Sequence, residues 1–295
     1  MTDRPETEPT RSPATILWLP FVLIVLVWLP SLWRFSYEWA LNPQYYYGWS
    51  VPILAGYLLY DRYPEAPSVG KPRFWWPVTI LVVVLALLQG PLRLIGEANS
   101  TSRTISWLMG GAALGISFAI LYLFGGWRWM RCFAVPLLFL LVGIPWPDQL
   151  ERPLVQGLMR INAEIAAEIV SMSGIPAFAM GNVIEVPTGV LGVNEACSGI
   201  RSLQSTFMAS IFLAALYRLS GMSYALMILL SAMIAFVCNL IRTTFLTWEG
   251  ARHGIEATEK WHDTAGFAIL GVVLVCLWVI SRFLEKKPAI VPSVS

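Results

Sequence analysis

Long apolar segments recur along almost the whole chain, and this recurrence restricts the possible folds more than any other feature. A helix crossing a bilayer needs about 20 predominantly apolar residues. Segments 14–33, 45–60, 74–92, 105–124, 130–146, 199–217, 223–246 and 263–283 meet or approach that length, about eight in all. In hydrocarbon each backbone must satisfy its own hydrogen bonds, so such segments are expected as helices. The second and fifth are short and interrupted by Pro52 and Pro136. Composition agrees, since 57% of the 295 residues are hydrophobic and 13% charged, more apolar than a water-soluble globule. The expected fold class is an all-α polytopic membrane protein.

An even number of spans puts both termini on one side, and the positive-inside rule selects the cytoplasm. Arg62, Lys71 and Arg73 follow the second span, Arg128 and Arg131 the fourth, Arg218 the sixth, and Arg282, Lys286 and Lys287 the eighth. Residues 1–13, polar and containing Pro5, Pro9 and Pro13, read as a disordered cytoplasmic tail. Residues 14–284 read as a single integral membrane domain and 285–295 as a second cytoplasmic tail. No cleavable signal peptide is apparent, because the first apolar run is too long and lacks a small-residue cleavage site. The formal net charge of +2, with basic residues scattered between apolar segments, gives nucleic acid little to bind. Cysteines 132, 197, 238 and 276 show neither C-x-x-C pairing nor metal-ligand spacing. No cofactor or metal site is expected.

Between the fifth and sixth spans lie about 50 residues without a long apolar run, more than an ordinary connection requires. Over 148–172, Leu150, Leu154, Leu158, Ile161, Ile165 and Ile169 recur at helical spacing, with Glu151, Arg160, Glu164 and Glu168 elsewhere around the helix. This predicts an amphipathic helix at the outer membrane face or against the bundle. Residues 182–193 alternate Val183, Glu185 and Pro187 with Ile184 and Val186, then turn at Thr188-Gly189, the pattern of a short β-hairpin. Helix and hairpin together occupy about 148–196 on the outer face. The aromatic cluster Tyr45-Tyr46-Tyr47 with Trp49, at the boundary of the second span, reads as an interfacial belt.

Asn194 to Arg201 then sets a cysteine just inside the start of the sixth span. With Asn194 as N-cap, Cys197 takes the third helical position, where free backbone N–H groups and the helix dipole favour a thiolate. Counting spans brings two more residues to that face: Arg242, at the end of the seventh span, and His262, at the start of the eighth. A histidine within reach can take the thiol proton and return it to a leaving amine. Arg242 stays charged and can hold a developing oxyanion. Packing cysteines, snorkelling arginines and interfacial histidines are also common. Composition and spacing alone therefore leave both readings open, and His253, in the connection after Glu249 and Arg252, is a rival base.

At these residues the chain resembles the exosortase/archaeosortase family of intramembrane cysteine transpeptidases. The resemblance rests on Ala196-Cys197-Ser198-Gly199, on Asn239 with Arg242, and on His262, in that order along the last three spans (about 197–283). It implies Cys197 as nucleophile, His262 as acid and base, and Arg242 as oxyanion or carbonyl ligand. The implied substrates are exported proteins whose C-terminal sorting signal combines a Pro-Glu-Pro-like motif, a membrane span and a basic tail. Cleavage would pass through a thioester to an unknown acceptor at the cell surface or on extracellular polysaccharide. The implied location is the bacterial cytoplasmic (inner) membrane, with the site at the periplasmic face.

Asn194, Glu195, Ser198, Arg201, Asn239 and Asp263 are candidates for orienting the catalytic groups or binding substrate. Asn194 also reads as a plain cap, Arg201 as a snorkelling side chain, and Asp263 as a cap of the last span. The alternatives to an enzyme are a transporter or a non-catalytic subunit of a surface-polysaccharide export system. The near absence of acids within the spans weighs against transport.

Overall fold

A computed structural model describes residues 14–67, 75–99, 102–192 and 200–285. Its helices are α1 (Ala14–Leu41), α2 (Ser50–Arg62), α3 (Trp76–Ala98), α4 (Arg103–Phe139), α5 (Asp148–Met172), α6 (Ile200–Leu216), α7 (Met222–His253) and α8 (Ile255–Leu284), with a 3-10 segment, Pro43–Trp49, between the first two. The protein is an all-α polytopic membrane protein with a small three-stranded sheet. Among the described residues, 5 helical stretches are long and apolar enough to cross a bilayer: Trp18–Leu41, Trp76–Ala98, Arg103–Gly143, Met222–His253 and Ile255–Leu284. At 13 and 17 residues, α2 and α6 are shorter, because a helix rises only about 1.5 Å per residue. The stretch 45–60 does not run as one helix: Pro43 opens the 3-10 segment, and the Asn42 side chain caps it by accepting from Gln44 N at 3.0 Å. Helix α4 carries both the fourth and the fifth expected segments, separated at Gly126, whose φ of 66° and ψ of −162° break the helical path. Only glycine adopts such a conformation without a steric penalty.

The chain divides into two compact units. The first comprises residues up to Ser36 and Leu59–Ile144. There α1, α3 and α4 are joined by polar contacts within an apolar bundle: Trp28 Nε1 donates to Ser117 Oγ at 3.0 Å. The Arg34 guanidinium donates to Gly96 O, Asn99 O, Ser102 O and Ser106 Oγ at 2.8–3.2 Å. It thereby takes up carbonyls at the C-terminal end of α3, which have no partner within their own helix. Phe21 and Trp129 pack on Phe133 with ring centroids 5.1 and 5.5 Å away.

The second unit comprises Tyr37–Leu58 and Pro145–Ser295. Its sheet is an antiparallel meander of β1 (Phe178–Met180), β2 (Val183–Val186) and β3 (Gly189–Gly192), with two-residue turns between Met180 and Val183 and between Val186 and Gly189. The expected hairpin is β2–β3, and β1 adds a strand that three residues were too short to announce. Thr188 Oγ1 donates to Gly250 O at 2.8 Å, tying the second turn to α7. Helices α7 and α8 pack as an antiparallel hairpin whose bend is Gly254, at φ 92°. Both helices overrun their expected limits, so Arg242 and His262 lie within them rather than at their ends.

Helix α5 spans 148–172 as expected, but most of the stripe that identified it is turned outward, with only Leu158 and Ile165 half-buried. Its buried side is Glu151, Val155, Met159, Asn162, Ala163, Ala166, Ala167 and Val170. Leu150, Leu154, Ile161 and Ile169 are 66%, 37%, 45% and 43% exposed. The three alanines share a core with Val170, Ala177, Ile184, Val186, Leu191 and Ala251. Small residues let backbones approach closely, whereas large aliphatic side chains gain little by leaving lipid for protein. The helix therefore has two apolar faces, one packed on the protein and one turned outward.

Three outcomes follow for thermal unfolding in detergent. Ala166→Leu should overpack the α5–sheet interface and cost about 1–3 kcal/mol, while Ile161→Ala on the outward face should shift stability by less than about 0.5 kcal/mol. Gly254→Val, at a positive φ, should cost about 1–2 kcal/mol and loosen the α7–α8 hairpin.

Candidate active site

The α7–α8 hairpin brings Arg242 and His262 together. Arg242 Nη2 lies 3.1 Å from His262 Nε2 and also donates to the His262 carbonyl oxygen at 3.2 Å. His262 Nδ1 lies 3.1 Å from Asp263 Oδ1. A guanidinium has donors only, so the Nε2 facing it presents its lone pair. The ring proton then sits on Nδ1, where it can be given to the Asp263 carboxylate. The contacts thus assign the neutral tautomer with Nε2 as the basic nitrogen. Asn239 is buried one turn before Arg242 on α7.

His253 occupies a different environment. It is the last residue of α7, exposed, with Nδ1 2.8 Å from Glu249 Oε2 on its own helix. Its ring stands edge-on to Trp248, whose face is covered by Arg252. Along the helix axis His253 is about 16 Å from Arg242 at 1.5 Å per residue.

A cavity of about 400 Å³ opens beside the pair, between β3 (Val190, Leu191, Gly192) and the first turns of α8 (Glu259, His262, Asp263). Asn194, Glu195, Cys197 and Ser198 lie outside the described residues. The nearest described neighbour on the N-terminal side is Gly192, on the cavity wall, five positions before Cys197. Arg201, on the first turn of α6, is exposed. Among the described residues, no three His, Cys, Asp or Glu side chains are grouped to hold a metal ion.

A second polar cluster was missed in the sequence. Glu151, in the first turn of α5, is 5% exposed. Its Oε1 accepts from Gln44 Nε2, from Tyr45 Oη at 2.5 Å and from Gln204 Nε2 at 3.4 Å. Tyr45 Oη also accepts from Trp146 N at 3.0 Å. Tyr45 is thus fully buried and hydrogen-bonded, not part of an interfacial belt, while Tyr46 and Trp49 remain exposed. By sequence Glu151 reads with Arg160, Glu164 and Glu168 as part of the polar surface of α5. Its one sequence signal is a carboxylate in the buried register Glu151, Val155, Met159, and that register becomes visible only once the packed face is known.

The family model of transmembrane exosortases matches residues 39–279. No curated protein and no solved structure matches the chain. The matched region takes in α7, most of α8, the sheet, the cavity and both polar clusters, and the chain belongs to the transmembrane exosortase family, the membrane-embedded sorting transpeptidases.

Proposed function

We propose that the protein cleaves a C-terminal sorting signal of exported proteins through a thioester on Cys197 and transfers the acyl product to an amine or another acceptor. The observation that carries this reading is the Arg242 Nη2–His262 Nε2 contact beside the cavity bounded by β3, with Asp263 on the far side of the imidazole. His262 Nε2 takes the Cys197 proton as the thiolate attacks the scissile carbonyl. The new imidazolium has no lone pair for Arg242, so protonation breaks the resting contact and repels the guanidinium. The released N–H groups are then available to the oxyanion at the moment it forms. Asp263 stabilises the imidazolium through Nδ1–H. The proton on Nε2 leaves with the amine as the tetrahedral intermediate collapses to the thioester, and the second half-reaction reverses these roles with the acceptor.

The same reading puts the protein in the bacterial cytoplasmic membrane with both termini cytoplasmic and the site on the periplasmic side. Its clients carry a Pro-Glu-Pro-like motif, a membrane span and a basic tail. Asn194, Glu195, Ser198, Arg201 and Asn239 remain candidates for orienting the catalytic groups or holding the substrate.

In a strain co-expressing a tagged client, Cys197→Ala and Cys197→Ser should abolish processing while the protein stays folded in the membrane. Cleavage retained by the alanine variant would sink the proposal. Replacing His262 by Ala should slow turnover by about 10²–10⁴-fold and Arg242 by Lys by about 10²–10³-fold. His253→Ala, which disturbs only an exposed helix-end pair, should stay within about twofold of wild type. Kinetics of the purified variants check all three, and a dead His253 variant beside an active His262 variant would reverse the assignment of the base.

A further inference from the structure

The Glu151 cluster ties together three parts of the second unit: the 3-10 segment Pro43–Trp49, the start of α5 and the first turns of α6. Oε1 accepts from the Gln44 and Gln204 amides and from the Tyr45 hydroxyl. Tyr45 Oη accepts from Trp146 N, so its single proton is given to Glu151, as suits an ionised, acceptor-only carboxylate. Facing that acceptor, the Gln44 and Gln204 amides must present nitrogen. Gln204, 1% exposed, is thereby held with its Oε1 turned away, buried and without a hydrogen-bond partner. An apolar contact works alongside: Ile200, fully buried, packs with Val155 and Met159 of α5.

Burying a carboxylate is costly, and apolar side chains of similar volume commonly hold helices together as well or better. What a charge with several directed donors adds is a single position for the elements that carry them. The element fixed here is α6, whose first described residue, Ile200, stands three positions after Cys197.

We propose that Glu151 is a positioning residue for the transfer reaction. Its buried carboxylate, through Tyr45, Gln44 and Gln204, sets the start of α6 and with it the position of the Cys197 sulfur relative to Arg242 and His262. This rests on the reading of Cys197 as nucleophile. A misplacement of about 1 Å can cost on the order of 10²-fold in rate, so the clamp matters for turnover more than for substrate affinity.

The test uses the full-length protein in lipid nanodiscs with a client bearing the sorting signal, and rates are expressed per folded molecule. Glu151→Gln removes the charge while keeping the shape. Tyr45→Phe keeps the buried ring and removes one donor, so it reports even if the first variant folds poorly. Each should lower kcat by about tenfold or more with KM within about twofold, and should slow alkylation of Cys197 by iodoacetamide only slightly. The double variant should be no slower than the worse single one, because both act through one clamp. A purely structural role would reduce the folded fraction and leave kcat per folded molecule unchanged. Both single variants within twofold of wild-type kcat would overturn the proposal. Cys197→Ala, run in the same assay, separates the two claims: residual processing there overturns the nucleophile, whereas an inactive Cys197→Ala beside normal Glu151 and Tyr45 variants overturns the clamp alone.

Discussion

The register of α7 against α8 is the constraint from which the candidate site follows. Gly254 bends the chain between two long helices, and Arg242 and His262 lie about 18 and 12 Å from that bend at 1.5 Å per residue. The reach of an arginine side chain makes up the difference, and the guanidinium meets both the imidazole and the backbone carbonyl of His262. Because the two helices continue beyond their apolar stretches, the pair sits between helix walls rather than at frayed ends. The sheet braces this extension: Ala251 of α7 belongs to the α5–sheet core, and Thr188 bonds the Gly250 carbonyl.

The bilayer as solvent explains how the rest of the fold supports that register. Burying leucine gives no advantage against lipid, so close approach decides which faces pack. In α5 the alanines turn inward and the larger aliphatics outward. Polar groups inside the units then act as specific ties. Arg34 takes up carbonyls at the end of α3 in the first unit, and Glu151 gathers donors from two other elements in the second. Each such tie is directional, which fixes geometry in a way that apolar contacts alone do not.

Much of this was legible in the sequence, and the exceptions have physical causes. Long apolar runs announced the membrane helices, and the Gly126 break agreed with reading 105–124 and 130–146 as separate segments. Helix α5 and the β2–β3 hairpin appeared at their expected places, since periodicity is a local signal. The ends of α7 and α8 were not legible. Glu249, Arg252, His253 and Glu256 look like a solvated loop by polarity, yet they are compatible with helix, and their neighbours Gly250 and Ala251 are held against the sheet. The pairing of Arg242 with His262, and not His253, was legible only in outline, through counting spans. Tyr45 and Glu151 were misread because the contact joining them spans more than a hundred positions, and no local pattern carries it. Cys197 and its neighbours Asn194, Glu195 and Ser198 fall outside the described residues, so their part in the site rests on sequence and family membership.

The central claim is covalent chemistry at Cys197, and the most direct measurement is intact-protein and peptide mass spectrometry of the enzyme quenched in acid during turnover of a client protein. A thioester intermediate predicts a client-derived acyl fragment on the peptide containing Cys197, released by hydroxylamine and missing from Cys197→Ala. Processing of the client with no adduct at Cys197 under any quench time, or with the fragment on another residue, would contradict it.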